Sequence, residues 1–215
     1  MSLESVVIET GPNPKTCIVW LHGLGADGYD FVPLTRELDL PFAVRYLFPH
    51  APVQAVTING GRRMRAWYDI ASPNLREKAD KAGIRRSQEL IAALVQTQIA
   101  HGISPDRLVL GGFSQGGVMA LEVGVRHSPP LAGLVALSAY LALPEEFPEA
   151  SPNSPPILMV HGSQDPIVPL ALAEQSRQVL ECKGYRVTFQ VFPMGHSVCA
   201  EEIALLSQWL KARLA

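Results

Sequence analysis

This chain predicts an α/β fold, a mostly parallel twisted sheet with helices on both faces, and three observations carry that expectation. Short aliphatic and β-branched runs of strand length alternate with longer amphipathic runs. Most of the strand-like runs are apolar along nearly their whole length, as strands covered on two faces must be. Glycine stands just past two of the helical runs, at Gly102 and Gly184, where a chain can leave a helix through a left-handed turn.

Residues 5–9 (Ser-Val-Val-Ile-Glu) set three β-branched residues between polar ends and read as the first strand. Thr-Cys-Ile-Val-Trp-Leu at 16–21 is the second. A helix is expected over 30–38, where Phe31, Leu34 and Leu38 recur at helical spacing, and a third strand over 44–47 (Val-Arg-Tyr-Leu). The run 81–100 stripes Ile84, Ile91, Leu94 and Val95 along one face and stops at Gly102. Leu-Val-Leu-Gly-Gly-Phe at 108–113 is a buried strand, and 115–126 follows as a helix with Val118, Met119, Leu121, Glu122 and Val125 inward. Strands at 132–137 and 157–161 flank a stiff Ser-Pro-Asn-Ser-Pro-Pro loop at 151–156. A helix at 170–183 stops at Gly184, Val187, Phe189 and Val191 alternate through a last strand at 186–192, and a helix closes the chain at 201–214.

The length of 215 residues suits one sizeable core, so a single domain over 1–215 is expected. With 18 basic against 20 acidic side chains, a net charge of −2 and no long basic run, nucleic acid is not an expected partner. Residues 1–10 carry Glu4 and Glu9 instead of a basic leader, and no run of about 18 apolar residues occurs, so a cytoplasmic protein without stable membrane insertion is expected. Cys17, Cys182 and Cys199 are odd in number and lack C-x-x-C spacing, which points to neither a disulfide framework nor a zinc site.

The chemistry is written at the end of the 108–113 strand. Gly112, Ser114 and Gly116 satisfy G-x-S-x-G, in which small neighbours let a sharp strand-to-helix turn lift a serine hydroxyl clear of the sheet. A serine at neutral pH needs a histidine to take its proton and an acid to orient that histidine. Of six histidines, His196 lies in the loop between the final strand and the terminal helix, whereas His161 at a strand end reads as packing, and His50, His101 and His127 lie in loops or at helix ends. For the acid, Asp165 sits just past the penultimate strand, although a plain turn residue before Pro166 would look the same; Asp69, Asp27 and Asp106 are weaker candidates. The order Ser, Asp, His matches an α/β-hydrolase. The backbone N–H of Gln115, next to the serine, is one candidate oxyanion donor; Leu24, in the glycine-rich turn Leu-His-Gly-Leu-Gly-Ala-Asp-Gly at 21–28, is the other. His22 is read as shaping that turn by hydrogen bonding.

Around these residues the chain resembles the acyl-protein thioesterase and bacterial carboxylesterase family, also called the phospholipase/carboxylesterase family. The resemblance spans nearly the whole chain. It rests on the 21–28 turn, Phe-Pro-His-Ala-Pro at 48–52, Met-Arg-Ala-Trp-Tyr-Asp at 64–69, Gly-Phe-Ser-Gln-Gly-Gly at 112–117, His-Gly-Ser-Gln-Asp at 161–165 and Met-Gly-His-Ser at 194–197. It implies an α/β-hydrolase with Ser114, Asp165 and His196 as triad, Leu24 and Gln115 as oxyanion donors, no metal or organic cofactor, short or medium acyl chains and frequent homodimers. Esters are the first expected substrate class, with acyl thioesters, including acylated protein, and lysophospholipids as alternatives. A non-catalytic binding module on a hydrolase scaffold is the remote one. No dinucleotide fingerprint follows the first strand, which argues against an oxidoreductase.

The connection between Leu137 and Ile157 is too short for a helical cap, so cover for the substrate must come from residues 49–80. Ile58, Met64, Trp67 and Tyr68 are the expected substrate contacts there, on the underside of a mobile lid; the competing reading makes Trp67 and Tyr68 core packing.

Overall fold

A computed structural model describes residues 3–215; Met1 and Ser2, the start of the segment read for a leader, lie outside the described residues. Among the described residues nine strands and five α-helices follow one another as β1 Ser5–Glu9, β2 Thr16–Leu21, α1 Leu34–Glu37, β3 Val44–Pro49, β4 Val53–Val56, β5 Arg62–Arg65, α2 Lys81–Ala100, β6 Leu108–Phe113, α3 Gln115–Gly124, β7 Gly133–Leu137, β8 Ile157–Gly162, α4 Leu170–Cys182, β9 Val187–Phe192 and α5 Ala200–Leu214. Seven strands form one sheet in the order β1-β3-β2-β6-β7-β8-β9, with β1 antiparallel to β3 and the remaining pairs parallel. No helix among the described residues is long and apolar enough to cross a membrane.

The period-two alternation of each strand sorts the core onto two faces. Cys17, Val19 and Leu21 of β2 pack with Leu108 and Leu110 of β6 under α2 and α3, with Leu180 of α4 in the same layer. Ile18 and Trp20 point the other way, to Leu34 of α1 and to Leu206, Leu210 and Leu214 of α5. Each such fully buried aliphatic side chain contributes about 1.5–3 kcal/mol. That two-sided cover is why the strands read as apolar runs.

The two glycine stops work as anticipated. Gly102 (φ 93°) and Gly184 (φ 86°) take the left-handed conformation. Gly102 N–H donates to Ile99 and Ile103 N–H to Gln98, and Gly184 and Tyr185 repeat the pattern on Glu181 and Leu180, so the last helical carbonyls are satisfied. Two elements differ from expectation. The helix expected over 30–38 is a chain of turns tightening into one turn of helix at Leu34–Glu37: Pro33 disfavours the α conformation at Val32 before it, so regular helix starts only after the proline. The segment 49–80 is not one long loop: β4 and β5 pair antiparallel around Gly60 and Gly61, with Val53 opposite Arg65 and Val56 opposite Arg62.

β2 has β3 on one side and β6 on the other, so the chain order reverses between β2 and β6. In an open α/β sheet the crevice beyond the strand ends at such a reversal is where ligands collect.

Candidate active site

Ser114 sits at the carboxyl end of β6, at that reversal, with φ 55° and ψ −121°. A non-glycine residue is held there at a cost of order 1–3 kcal/mol, and the surrounding backbone imposes it. Ser114 N–H donates to Leu137 O at 2.8 Å, and Ser114 O accepts from Val118 N–H as α3 begins. The turn is tight enough that a Cβ on Gly116 would lie 2.1 Å from Leu21 O, and one on Gly112 would lie 2.5 Å from the Gly116 carbonyl carbon. Glycine is the residue that fits at both.

The ends of β8 and β9 meet beside it. Ser163 N–H donates to Phe192 O and Gln164 N–H to Met194 O, lacing the two exit loops together. A Cβ on Gly162 would collide with Met194 O at 2.3 Å, so this approach too depends on glycine. The lacing brings His196 over Asp165: His196 Nδ1 lies 2.7 Å from Asp165 Oδ2, and His196 Nε2 lies 3.0 Å from Ser114 Oγ. The Asp165 side chain is fully buried, and its other oxygen accepts from the N–H groups of Ile167 and Val168 at 2.8 and 2.9 Å. With its carboxylate pinned on both oxygens, Asp165 dictates the histidine tautomer, placing the proton on Nδ1 and the lone pair on Nε2 facing the serine. Phe113 packs its ring 4.7 Å from the imidazole, a contact with no signal in the sequence.

The loop after β2 lies on the other side of the serine. A Cβ on Gly23 would touch the Ser114 Cβ at 3.5 Å. Among the described residues, the backbone N–H groups of Leu24 and Gln115 donate to no protein acceptor, which leaves both free for an oxygen bound at the serine. His22 shapes this loop as expected: Nε2 accepts from Ala51 N–H at 3.0 Å, so Nδ1 carries the proton and donates to Gly23 O at 2.7 Å. Burial pushes the His22 pKa below its ordinary value, which keeps that acceptor available. His161 is buried and bonded to Val168 O, where burial likewise lowers its pKa.

The four expected substrate contacts divide. Met64 is half-buried, with its sulfur 3.7 Å from where a Cβ on Gly25 would be, and Ile58 is 40% exposed at the hairpin turn. Trp67 and Tyr68 are 0% and 2% exposed. Trp67 is held by its backbone N–H to Gln115 Oε1 and by its indole N–H to His22 O, so the two rings pack beneath the site and not on the underside of a lid. Their burial removes apolar area from water while every polar atom of the indole keeps a partner, which is why packing prevails at these positions.

Helix α5 begins four residues after His196, and its first turn carries Glu202, fully buried with neither carboxylate oxygen hydrogen-bonded among the described residues. Burial pushes its pKa from 4.5 up to about 8, outweighing the nearby Cys199 N–H, which favours the charged form. As pH rises through that interval, the unfolded chain releases the proton while the folded chain retains it, so Glu202 lowers stability progressively. Glu202→Gln is therefore expected to raise the melting temperature at pH 8 and to change it little at about pH 4, where both states hold the proton. Melting curves at the two pH values check this; an equal shift at both would contradict it.

Comparison with known proteins gives consistent matches over the whole chain. The family model described as Phospholipase/Carboxylesterase matches residues 3–214. An acyl-protein thioesterase 1 of Neurospora crassa is 40% identical over 211 residues, covering 92% of this chain and 86% of the relative. One of Gibberella zeae is 35% identical, covering 99% and 96%. The crystal structure of Zea mays acyl-protein thioesterase 2 superposes with a TM-score of 0.84 at 29% identity, covering 99% of each chain.

Proposed function

The chain belongs to the phospholipase/carboxylesterase family, a serine hydrolase of esters and thioesters, and we propose that it uses Ser114, His196 and Asp165 as its triad through an acyl-enzyme intermediate. Membership of an enzyme family sets aside the reading of a non-catalytic module. The observation that carries the assignment is the bridging imidazole, 2.7 Å from the acid and 3.0 Å from the hydroxyl.

The chemistry follows from that geometry. Ser114 Oγ attacks the acyl carbon as its proton passes to His196 Nε2, and the imidazolium that forms is stabilised by the buried Asp165 carboxylate. The acyl oxygen, now negative, turns toward the N–H groups of Leu24 and Gln115. Collapse expels the alcohol or thiol, which takes the proton from His196 and leaves Ser114 acylated. Water then enters, gives its proton to the same nitrogen and attacks the acyl-serine; collapse returns the proton to Ser114 Oγ and frees the acid. Every step is proton transfer and addition–elimination at one carbon.

The substrates we propose are lipid-like acyl esters and acylated proteins, of short to medium chain, in keeping with the names of the thioesterase relatives. Leu24 and Met64, both half-buried, and Ile58 and Ile167, 40% and 59% exposed, are the apolar side chains we propose for the acyl chain to meet. Each methylene covered by it is worth about 0.8 kcal/mol at most. On p-nitrophenyl esters, kcat/KM is expected to rise from four to eight acyl carbons, by at most about fourfold per methylene, and to level off once the tail reaches water. The test is a kinetic panel of these esters with acyl thioesters and lysophosphatidylcholine. Equal efficiency on acetyl and octanoyl esters would contradict the apolar surface, and a preference for lysophosphatidylcholine over both other classes would move the assignment to lysophospholipids.

A further inference from the structure

The two donors assigned above to the oxyanion come from separate elements, Leu24 from the loop after β2 and Gln115 from the first position of α3. Among the described residues no backbone hydrogen bond joins residues 22–25 to α3. Beside the close packing of the Leu21 and His22 carbonyls on Gly116, residues 65–68, of which Ala66, Trp67 and Tyr68 are buried, join them by hydrogen bonds. Gly25 N–H donates to Arg65 O at 2.9 Å, and the Trp67 indole N–H donates to His22 O at 2.9 Å, so this segment grips the loop on both sides of Leu24. The same segment is clamped to α3 by the Gln115 side chain, whose Oε1 accepts from Trp67 N–H at 2.7 Å and whose Nε2 donates to Tyr68 O at 2.8 Å. Ser87 of α2 closes the far side with a hydrogen bond to Trp67 O. Gln115 is 2% exposed and Trp67 has no exposed surface, so these bonds have no competition from water.

We infer that the Gln115 side-chain amide and the Trp67 indole N–H are positioning groups for the reaction, setting the separation between the Leu24 and Gln115 backbone donors. Donors stabilise a developing oxyanion only when fixed about 2.7–3.1 Å from the place it will occupy, and fixing them beforehand is where their advantage over water lies. A circuit from loop to indole to carboxamide to helix supplies that fixation with each polar atom paired. An apolar side chain at 115 would fill the same space while leaving Trp67 N–H and Tyr68 C=O buried without partners, and the distance between the two donors would then relax. The inference rests on the triad and oxyanion reading above.

Two variants test it in the full chain. Gln115→Met keeps the side-chain volume and the backbone donor; Trp67→Phe keeps an aromatic ring and loses the indole N–H. For each, kcat and KM on p-nitrophenyl butyrate are measured per active site titrated with a fluorophosphonate, together with the affinity for butylboronic acid, whose serine adduct places an oxygen where the oxyanion forms. The expected result is a fall in kcat of roughly 10- to 100-fold, with KM within about twofold and boronate affinity weakened by the same factor as kcat. The combined variant is expected to fall little below the worse single one, because the two groups lie in one circuit. Where Gln115→Met does not fold, Trp67→Phe decides the matter alone. Variants that titrate fully and keep kcat within threefold of the parent, or that change KM alone, overturn the inference and leave the triad standing. A parent enzyme that reacts with neither fluorophosphonate nor boronate overturns the triad reading and the inference together.

Discussion

Replacing Ser114 by alanine is expected to lower kcat on a p-nitrophenyl ester on the order of 10⁶-fold while the chain still folds. The hydroxyl is the group that His196 Nε2 addresses, at 3.0 Å, and alanine offers nothing in its place to attack the acyl carbon. Triad members act as a unit, so the residual rate would come from binding and the oxyanion donors alone, roughly 10³ to 10⁴ above water. Folding should be spared because Ser114 Oγ bonds only His196 among the described residues and alanine adds no atom to the tight turn. The strained backbone at φ 55° is carried by the serine already and passes to alanine unchanged. Steady-state kinetics with a melting curve check the first claim. Peptide mapping after fluorophosphonate treatment checks the second, with the label on the 114 peptide of the parent and absent from the variant. Turnover within tenfold of the parent would remove Ser114 from the mechanism.

Asp165→Asn is expected to cost about 10⁴-fold in kcat with KM nearly unchanged. The cause is orientation. Asp165 Oδ1 is committed to the N–H groups of Ile167 and Val168, so the asparagine oxygen must stay there and its amide must face His196. A donor then meets Nδ1, which has to become the unprotonated nitrogen. The proton moves to Nε2 and points at Ser114, where a base is needed. Asp69, the next acid by sequence, is not placed to stand in, since it is occupied by the N–H and hydroxyl of Thr57 at the base of the hairpin. An unchanged rate in Asp165→Asn would therefore overturn the triad as assigned.

Much of this molecule is legible in the chain because its signals are local. The strands at 16–21, 108–113 and 157–161 announce themselves through runs of apolar residues that only a sheet covered on both faces can bury. Gly102 and Gly184 mark helix ends because a left-handed residue is required just there. Ser114 stands out because the strained turn that carries it tolerates no side chain at Gly112 or Gly116. Asp165 and His196 follow from their places just beyond strand ends, since in a parallel sheet the strand ends that carry function lie on one side.

Other features depend on which segments meet, and a linear pattern does not record that. Pro33 shortens a helix whose apolar spacing alone would have carried it on. The hairpin at 53–65 escapes a pattern search because its strands are four residues each and rich in arginine, and only pairing with each other makes them strands. In sequence, Trp67 and Tyr68 read as the underside of a lid or as packing alike, because large aromatics among glycines and arginines are equally at home over a substrate or in a core. Which of the two holds was settled by distant partners, His22 and Gln115, that give the Trp67 N–H groups somewhere to go. By itself the sequence determined the main sheet, its longer helices, and the order and type of the residues proposed as nucleophile, acid and base, because periodicity, turn chemistry and strand-end placement are properties of neighbours along the chain. Only the tertiary structure decided the distances among them and the burial of the 66–68 segment, because those are set by which backbone and side-chain polar groups find partners once remote parts of the chain are packed together.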